Sequence, residues 1–262
     1  MTDHVLEKLG PFAIPHVGPR HVRVYVPAGP AEAPRSVLYL FDGQNVFHDA
    51  PSYAGGWHLH RSAHRLGAQR QAAPILVGID HGGADRIDEL GGWATGGGRT
   101  DALLDWMGEV LLPRIRADYG ASSEPGKVGI GGSSMGGLGA LYAHFKRPEH
   151  FGLAMAMSPS LWFGGGRVFE LIAGAAKPWT SRIYLDAGGL EGGGKMLAAA
   201  QRLADHLRGR GWGDALRFVA ARRGAHSEKH WRRRAPAALR FLFGLGAETE
   251  AKAKRAKKRL AA

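Results

Sequence analysis

The sequence predicts an α/β fold with a mostly parallel central sheet flanked by helices. Short, largely apolar segments alternate along the chain with longer segments of helical periodicity, which is the order of a βαβ series. Apolar residues on both faces are typical of strands in a sheet that is covered on both sides. The length of 262 residues accommodates one large domain of this kind.

Seven segments are predicted as strands. The first alternates apolar and polar residues, as a half-exposed strand does, and the next five are short and apolar. The seventh is a further candidate near the C-terminus. In chain order they are residues 21–27, 36–42, 73–80, 127–132, 151–158, 181–188 and 214–221.

Helical patterns lie between and after these strands. Thr100 is a candidate N-cap for the first, and Pro113 inside it is expected to kink the helix. The predicted helices cover residues 100–120, 137–149, 195–211 and 231–244. Residues 81–98 form a glycine-rich excursion that is too long for a plain turn, and loops of that size are often functional. We expect one domain over residues 1–246, followed by a basic tail over residues 247–262.

Composition excludes several classes of protein. Cysteine is absent, so disulfides, thiolate nucleophiles and cysteine metal sites are excluded. No signal-peptide pattern and no apolar run of about 18 residues is present, so a cytoplasmic location is expected. The formal net charge is +12. This favours a solvated, arginine-rich surface over a module that binds nucleic acid or a membrane surface, and no specific nucleic-acid partner is expected.

The segment Gly-Ser-Ser-Met-Gly at residues 132–136 fits the G-x-S-x-G pattern centred on Ser134. A predicted strand precedes it and a predicted helix follows, which is the context of a nucleophile elbow in the α/β-hydrolase fold. The sharp turn leaves no room for side chains on either flank, so glycine is needed there. Ser133 cannot be the centre, because Met135 stands where the second glycine would be required.

A serine nucleophile needs a base and an orienting acid, which follow it in the chain order Ser, acid, His. His226 lies in the loop after the last predicted strand and is favoured as the base over His230, which falls in the final helix. Asp186 and Glu191 both follow the strand at residues 181–188. Glu191 is favoured as the acid because it lies out in the loop, and Asp186 remains the alternative.

The oxyanion hole of such a site needs two donors. The backbone N–H of Met135 is one candidate, because it follows the nucleophile. The other is the N–H of Gln44, in the loop after the second strand, where Gly43 permits a close backbone approach.

Two further side chains are candidates for contacting substrate. Trp162 is expected near the C-terminal edge of the sheet, either lining a pocket or packing in the core. Arg86 either contacts an acidic substrate or pairs with Glu89.

Other motifs are weaker. Residues 189–195 match G-x-x-x-x-G-K, but Met196 stands where a phosphate-binding loop needs Ser or Thr. His58, His60 and His64 suggest a metal site, but no carboxylate pattern completes it. We interpret them as exposed histidines of a helix, and we expect no metal and no cofactor.

In chain order, the segments YLFDGQNVF, GGSSMGG, SPSLWF, YLDAGGLE and GAHSEKHW resemble the esterase-D-like family of α/β-hydrolases. This family includes feruloyl, acetylxylan and siderophore esterases, S-formylglutathione hydrolases and mycolyltransferases. The resemblance covers roughly residues 20–245. It implies Ser134 as nucleophile, His226 as base and, through a D-x-G-x-x-[DE] pattern, Glu191 as acid.

From the residues and the resemblance together, we expect a serine hydrolase that cleaves a small-molecule carboxylic ester through an acyl-enzyme. Two alternatives stay open. The first is an acyltransferase that uses the same triad. The second, of a different class, is a basic binding module without catalysis.

Overall fold

The computed structural model describes residues 5–28, 34–52, 54–68, 72–93, 98–178 and 180–245. Within these ranges eight strands form one sheet, in the order β1-β2-β4-β3-β5-β6-β7-β8. The strands are β1 (Val5–Ile14), β2 (Gly18–Val26), β3 (Val37–Phe41), β4 (Ile75–Ile79), β5 (Val128–Ser133), β6 (Leu153–Met157), β7 (Arg182–Gly188) and β8 (Leu216–Ala221).

The sheet is mostly parallel, as predicted. β1 pairs antiparallel with β2, and β2 pairs antiparallel with β4. From β4 onward every pair is parallel. The seven predicted strands are all present, whereas β1 was not predicted.

Nine α-helices connect and cover the described strands. They are α1 (Gly43–Val46), α2 (Leu59–Ala68), α3 (Arg86–Leu90), α4 (Thr100–Trp106), α5 (Leu112–Tyr119), α6 (Met135–Lys146), α7 (Arg167–Gly174), α8 (Lys195–Gly209) and α9 (Glu228–Phe243). Short 3₁₀ segments occupy Gly83–Asp85, Pro125–Lys127, Phe163–Gly166, Glu191–Gly194 and Gly213–Ala215.

Pro113 stands in the first turn of α5. A π-helical stretch, Met107–Leu111, joins α4 to α5 just before it. The irregularity therefore falls on the turn that precedes the proline, where a regular ladder would need the N–H that proline lacks.

Both faces of the sheet are covered by apolar packing. Along β3, Val37, Tyr39 and Phe41 belong to one core cluster, which includes residues of α6 and α8. The intervening Leu38 and Leu40 belong to the other cluster, which includes residues of α2 and α9. This alternation explains why the strands are apolar throughout.

The parallel strands end at one edge of the sheet, and the predicted site residues Ser134, Glu191 and His226 follow strands there. Ser134 follows β5, and Ser158 follows β6. Glu191 and His226 lie in the loops after β7 and β8. In open α/β sheets this carboxyl edge is where ligands bind.

The predicted basic tail at residues 247–262 lies outside the described residues, and the domain boundary at residue 246 stays a prediction. Within the described ranges, no helix combines the length and apolar character that a membrane span requires.

Candidate active site

The turn between β5 and α6 holds Ser134 in a strained backbone conformation. Its φ is 56° and its ψ is −118°, a region that costs a residue with a side chain about 1–3 kcal/mol. A Cβ on Gly132 would lie 2.6 Å from the backbone carbon of Gly136, so no larger residue fits there. The flanking glycine and the positive φ are what the elbow pattern predicts.

Ser134, His226 and Glu191 form a continuous hydrogen-bonded chain. The Oγ of Ser134 lies 2.9 Å from Nε2 of His226, and Nδ1 of His226 lies 3.2 Å from Oε2 of Glu191. The imidazole packs edge-on against the indole of Trp231, with ring centroids 4.9 Å apart. The Oγ of Ser160 lies 3.2 Å from the Oγ of Ser134 on its other side. The serine oxygen is thus held between the imidazole and a second hydroxyl.

The carboxylate of Glu191 is buried, and it is held by groups that the sequence did not indicate. Ser158 donates its hydroxyl proton to Oε1 of Glu191 at 2.8 Å. The Oγ of Ser158 in turn accepts from Nε1 of Trp231 at 3.0 Å and from Nη2 of Arg234 at 2.9 Å. Burial acts to raise the pKa of Glu191, but the hydrogen bonds from His226 and Ser158 outweigh it and hold this pKa below its usual value.

Asp186 has a different environment. It lies in β7, two residues before the strand ends, is fully buried, and accepts from Nε of Arg234 at 2.9 Å and from the backbone N–H of Ser158 at 3.1 Å. Burial raises the pKa of Asp186 to about 6, although Arg234 opposes the shift. Between the two candidate acids, the structure brings Glu191 to His226 and Asp186 to Arg234.

The backbone N–H groups of Met135 and Gln44 are the two predicted oxyanion donors. Met135 is the first residue of α6 and Gln44 lies in the first turn of α1, so neither N–H has an acceptor within its own helix. The side chain of Gln44 is used elsewhere, because its Oε1 accepts from the N–H of His81 at 3.1 Å. A Cβ on Gly43 would lie 2.5 Å from the carbonyl carbon of Gly78. The close backbone contact that requires glycine at position 43 is therefore a contact with strand β4.

For each of the two proposed substrate contacts, the structure contradicts the alternative role that the sequence left open, and contact with substrate stays a prediction. Arg86 pairs with Asp42, through two hydrogen bonds of 2.6 and 2.7 Å. The expected pairing with Glu89 is wrong, because Arg20 forms an ion pair with Glu89. Trp162 is 68% exposed, so its placement in the core is also wrong, whereas a role in lining a substrate pocket stays a prediction.

Of the three histidines interpreted as exposed residues of a helix, one is buried, one is half-buried and one is exposed as predicted. His58 is buried and precedes α2, so its interpretation as an exposed helical histidine is wrong. It forms a cluster with His60 and His48. His64 lies one turn further along α2, and it is exposed.

Comparison with known proteins assigns the chain to a family. The sequence profile of the family described as "Putative esterase" matches residues 17–242. Iron(III) salmochelin esterase from Escherichia coli O6:H1 is 30% identical over 174 residues, or 64% of this chain and 39% of that protein. The chain thus spans well under half of that relative.

Two further proteins are similar over nearly their full lengths. The uncharacterized protein YbbA from Bacillus subtilis is 26% identical over 81% of this chain and 87% of its own length. The solved structure of the siderophore hydrolase EstB from Aspergillus nidulans superposes with a TM-score of 0.72 at 18% identity, covering 93% of this chain and 96% of its own. At that identity the likeness establishes the fold.

Proposed function

The chain belongs to the esterase family of the α/β-hydrolases and is a carboxylic ester hydrolase, and we propose that it acts through an acyl-enzyme on Ser134. In this proposal His226 is the general base and Glu191 the orienting acid. The observation that carries it is the 2.9 Å contact between the Oγ of Ser134 and Nε2 of His226, at the strained turn after β5.

The chemical steps follow from this geometry. The Oγ of Ser134 attacks the acyl carbonyl carbon, and its proton passes to Nε2 of His226. The carbonyl oxygen becomes an oxyanion that accepts from the N–H groups of Met135 and Gln44. The C–O bond to the alcohol then breaks, and His226 returns the proton to the leaving oxygen. Glu191 fixes the tautomer of His226 and stabilises the imidazolium.

A water molecule completes the cycle. It loses a proton to His226 as its oxygen attacks the acyl carbon, and the second tetrahedral intermediate collapses to the free acid and the Ser134 hydroxyl. If an alcohol replaces the water, the same steps give acyl transfer. The two outcomes are distinguished by measuring the ratio of free acid to new ester as an added alcohol is increased.

Activity-based labelling tests the nucleophile. A fluorophosphonate probe is expected to modify Ser134, and mass spectrometry of the digested protein identifies the site. Ser134→Ala is expected to abolish labelling and to lower kcat/KM by at least about 10⁴-fold. Ser133→Ala is the matched control, because the neighbouring Ser133 ends β5 and should leave labelling intact. Labelling at another residue would overturn the proposal.

For the substrate, we propose an ester bond in a siderophore. The support comes from two similar proteins, a salmochelin esterase and a siderophore hydrolase. We further infer that Trp162 and Leu190 add apolar surface for a bulky substrate, because they lie two residues and one residue from Ser160 and Glu191 in sequence and are 68% and 65% exposed.

A panel of siderophore esters, sugar acetates and aryl esters tests this substrate class. Trp162→Ala is expected to lower kcat/KM for a siderophore ester about tenfold, the equivalent of 1.4 kcal/mol, and to affect a small aryl acetate less. If aryl or sugar esters are cleaved efficiently and siderophore esters are not, the substrate class is wrong and the triad is unaffected.

A further inference from the structure

Three histidines lie together, and none of them belongs to the hydrogen-bonded chain of Ser134, His226 and Glu191. His48, His58 and His60 each offer one ring nitrogen, and the three atoms lie within 4.8 Å of one another. The cluster is built from the chain between α1 and the first turn of α2. The rings of His48 and His60 have their centroids 4.9 Å apart.

A neighbouring carboxylate fixes the tautomer of the His58 ring. Nε2 of His58 lies 2.9 Å from Oδ1 of Asp49, which also accepts from the N–H of Gly56 at 2.9 Å. An ionised carboxylate only accepts hydrogen bonds, so Nε2 carries the proton. In the neutral ring Nδ1 therefore bears a lone pair. This Nδ1 is buried and has no hydrogen-bond partner among the described residues, and His58 itself is only 6% exposed.

Burying a lone pair without a hydrogen-bond partner is energetically unfavourable, and a bound cation would relieve that cost. A carboxylate on the far nitrogen of a histidine is the arrangement that orients metal-binding imidazoles and raises their basicity. The imidazoles of His48 and His60 lie beside that of His58. Imidazole nitrogens suit late first-row divalent ions, whereas Mg²⁺ and Ca²⁺ require oxygen ligands.

We propose that His48, His58 and His60 bind a divalent transition-metal ion, Zn²⁺ in the first instance, with Asp49 holding His58 through its other nitrogen. A tetrahedral zinc ion with bonds of 2.0–2.1 Å separates its nitrogen ligands by about 3.3 Å. Any nitrogen pair of the cluster that lies near the 4.8 Å limit must therefore close by roughly 1.5 Å on binding. His48 is exposed, so a change of its side-chain torsion closes the gap without moving the sheet. Water or a small anion takes the fourth position.

Arginines beside the cluster give the site a distinctive salt dependence. A cavity of about 450 Å³ is lined by His58 together with Arg61, Arg65, Arg232 and Arg233. Their charge opposes a dication, and salt screens it over a distance of about 10 Å at 0.1 M. Zinc affinity is therefore expected to rise with ionic strength in a nitrate salt, whereas adventitious zinc on surface carboxylates weakens.

Metal titration of tag-free protein tests the proposal. After dialysis against a chelator, calorimetry with Zn²⁺ and the visible absorption of bound Co²⁺ are expected to report one four-coordinate site per chain. His48→Ala is expected to lower the affinity at least about 100-fold, and Asp49→Asn about 10–100-fold. His64→Ala is the matched control, because this exposed histidine of α2 lies outside the cluster.

Circular dichroism of each variant separates loss of metal from loss of fold, and His48 is the principal target because its side chain is exposed. Absence of a stoichiometric site in the wild-type protein would overturn the proposal. So would equal affinities in the wild type and His48→Ala, because the metal would then be held elsewhere. The readout is binding, so either result leaves the ester hydrolase assignment untouched.

Discussion

Replacing Glu191 with glutamine tests the proposal that Glu191 sets the tautomer of His226. The Oγ of Ser158 accepts from Trp231 and Arg234, so both of its lone pairs are used and its proton must be donated to residue 191. The oxygen of a glutamine at 191 must therefore face Ser158. Its NH₂ group then faces His226, and Nδ1 has to become the acceptor.

The consequence is that Nε2 of His226 carries a proton directed at the Ser134 oxygen, 2.9 Å away. An imidazole in that tautomer cannot accept the serine proton. We expect kcat/KM to fall about 10⁴-fold, equivalent to about 5.5 kcal/mol of transition-state stabilisation. Glu191→Ala is expected to lose less, because it imposes no wrong tautomer.

The assay is hydrolysis of an aryl ester by wild type, Glu191→Gln and Glu191→Ala, with thermal melting to show that each variant is folded. Activity of Glu191→Gln within tenfold of wild type would show that Ser134 and His226 suffice alone. If the alanine variant is more impaired than the glutamine variant, the tautomer argument fails.

Three further predictions concern stability. Burial lowers the pKa of His144 to about 4, so the unfolded chain binds a proton that the native state does not, and lowering the pH from 6.5 to 4 should cost on the order of 3 kcal/mol of unfolding free energy. Urea denaturation at several pH values should show a smaller loss of unfolding free energy in His144→Gln than in the wild type. In His64→Gln, where the histidine is exposed, the loss should equal that of the wild type. An equal dependence of unfolding free energy on pH in all three proteins would contradict this. Arg234→Met leaves buried Asp186 without its partner and should cost about 3–5 kcal/mol in denaturant titration. Adding Asp186→Asn should recover part of that cost, and failure to do so would show that the ion pair is not its source. Gly132→Ala places a Cβ 2.6 Å from backbone atoms of the following helix, so it should lower the midpoint of thermal unfolding and the labelling of the enzyme together; a fully active, equally stable variant would refute the steric argument.

Local patterns explain why much of the fold was predictable. Strand β5, the strained turn and helix α6 are specified by contiguous residues, because glycine spacing and apolar periodicity act over a few positions. The same holds for the loops that carry Glu191 and His226, since each directly follows a strand. Strand β1 was missed because it is defined by its antiparallel pairing with β2, with an irregular register between Leu9 and Phe12.

Partners distant in sequence were decided by the tertiary structure alone. The local spacing favoured a pair between Arg86 and Glu89, but the sheet brings Asp42 to the guanidinium in a two-bond geometry. No spacing rule connects Arg234 to Asp186, which lies 48 residues earlier in the chain.

The sequence by itself determined which hydroxyl stands on a sharp turn, and that a histidine and two candidate carboxylates follow later strands, because those features depend on short segments of backbone. Only the tertiary structure decided what holds the acid in place and which histidines meet. A buried charge or lone pair forms a hydrogen bond with a group that the packed sheet and helices place within about 3 Å. That distance does not depend on how far apart the two residues are in sequence.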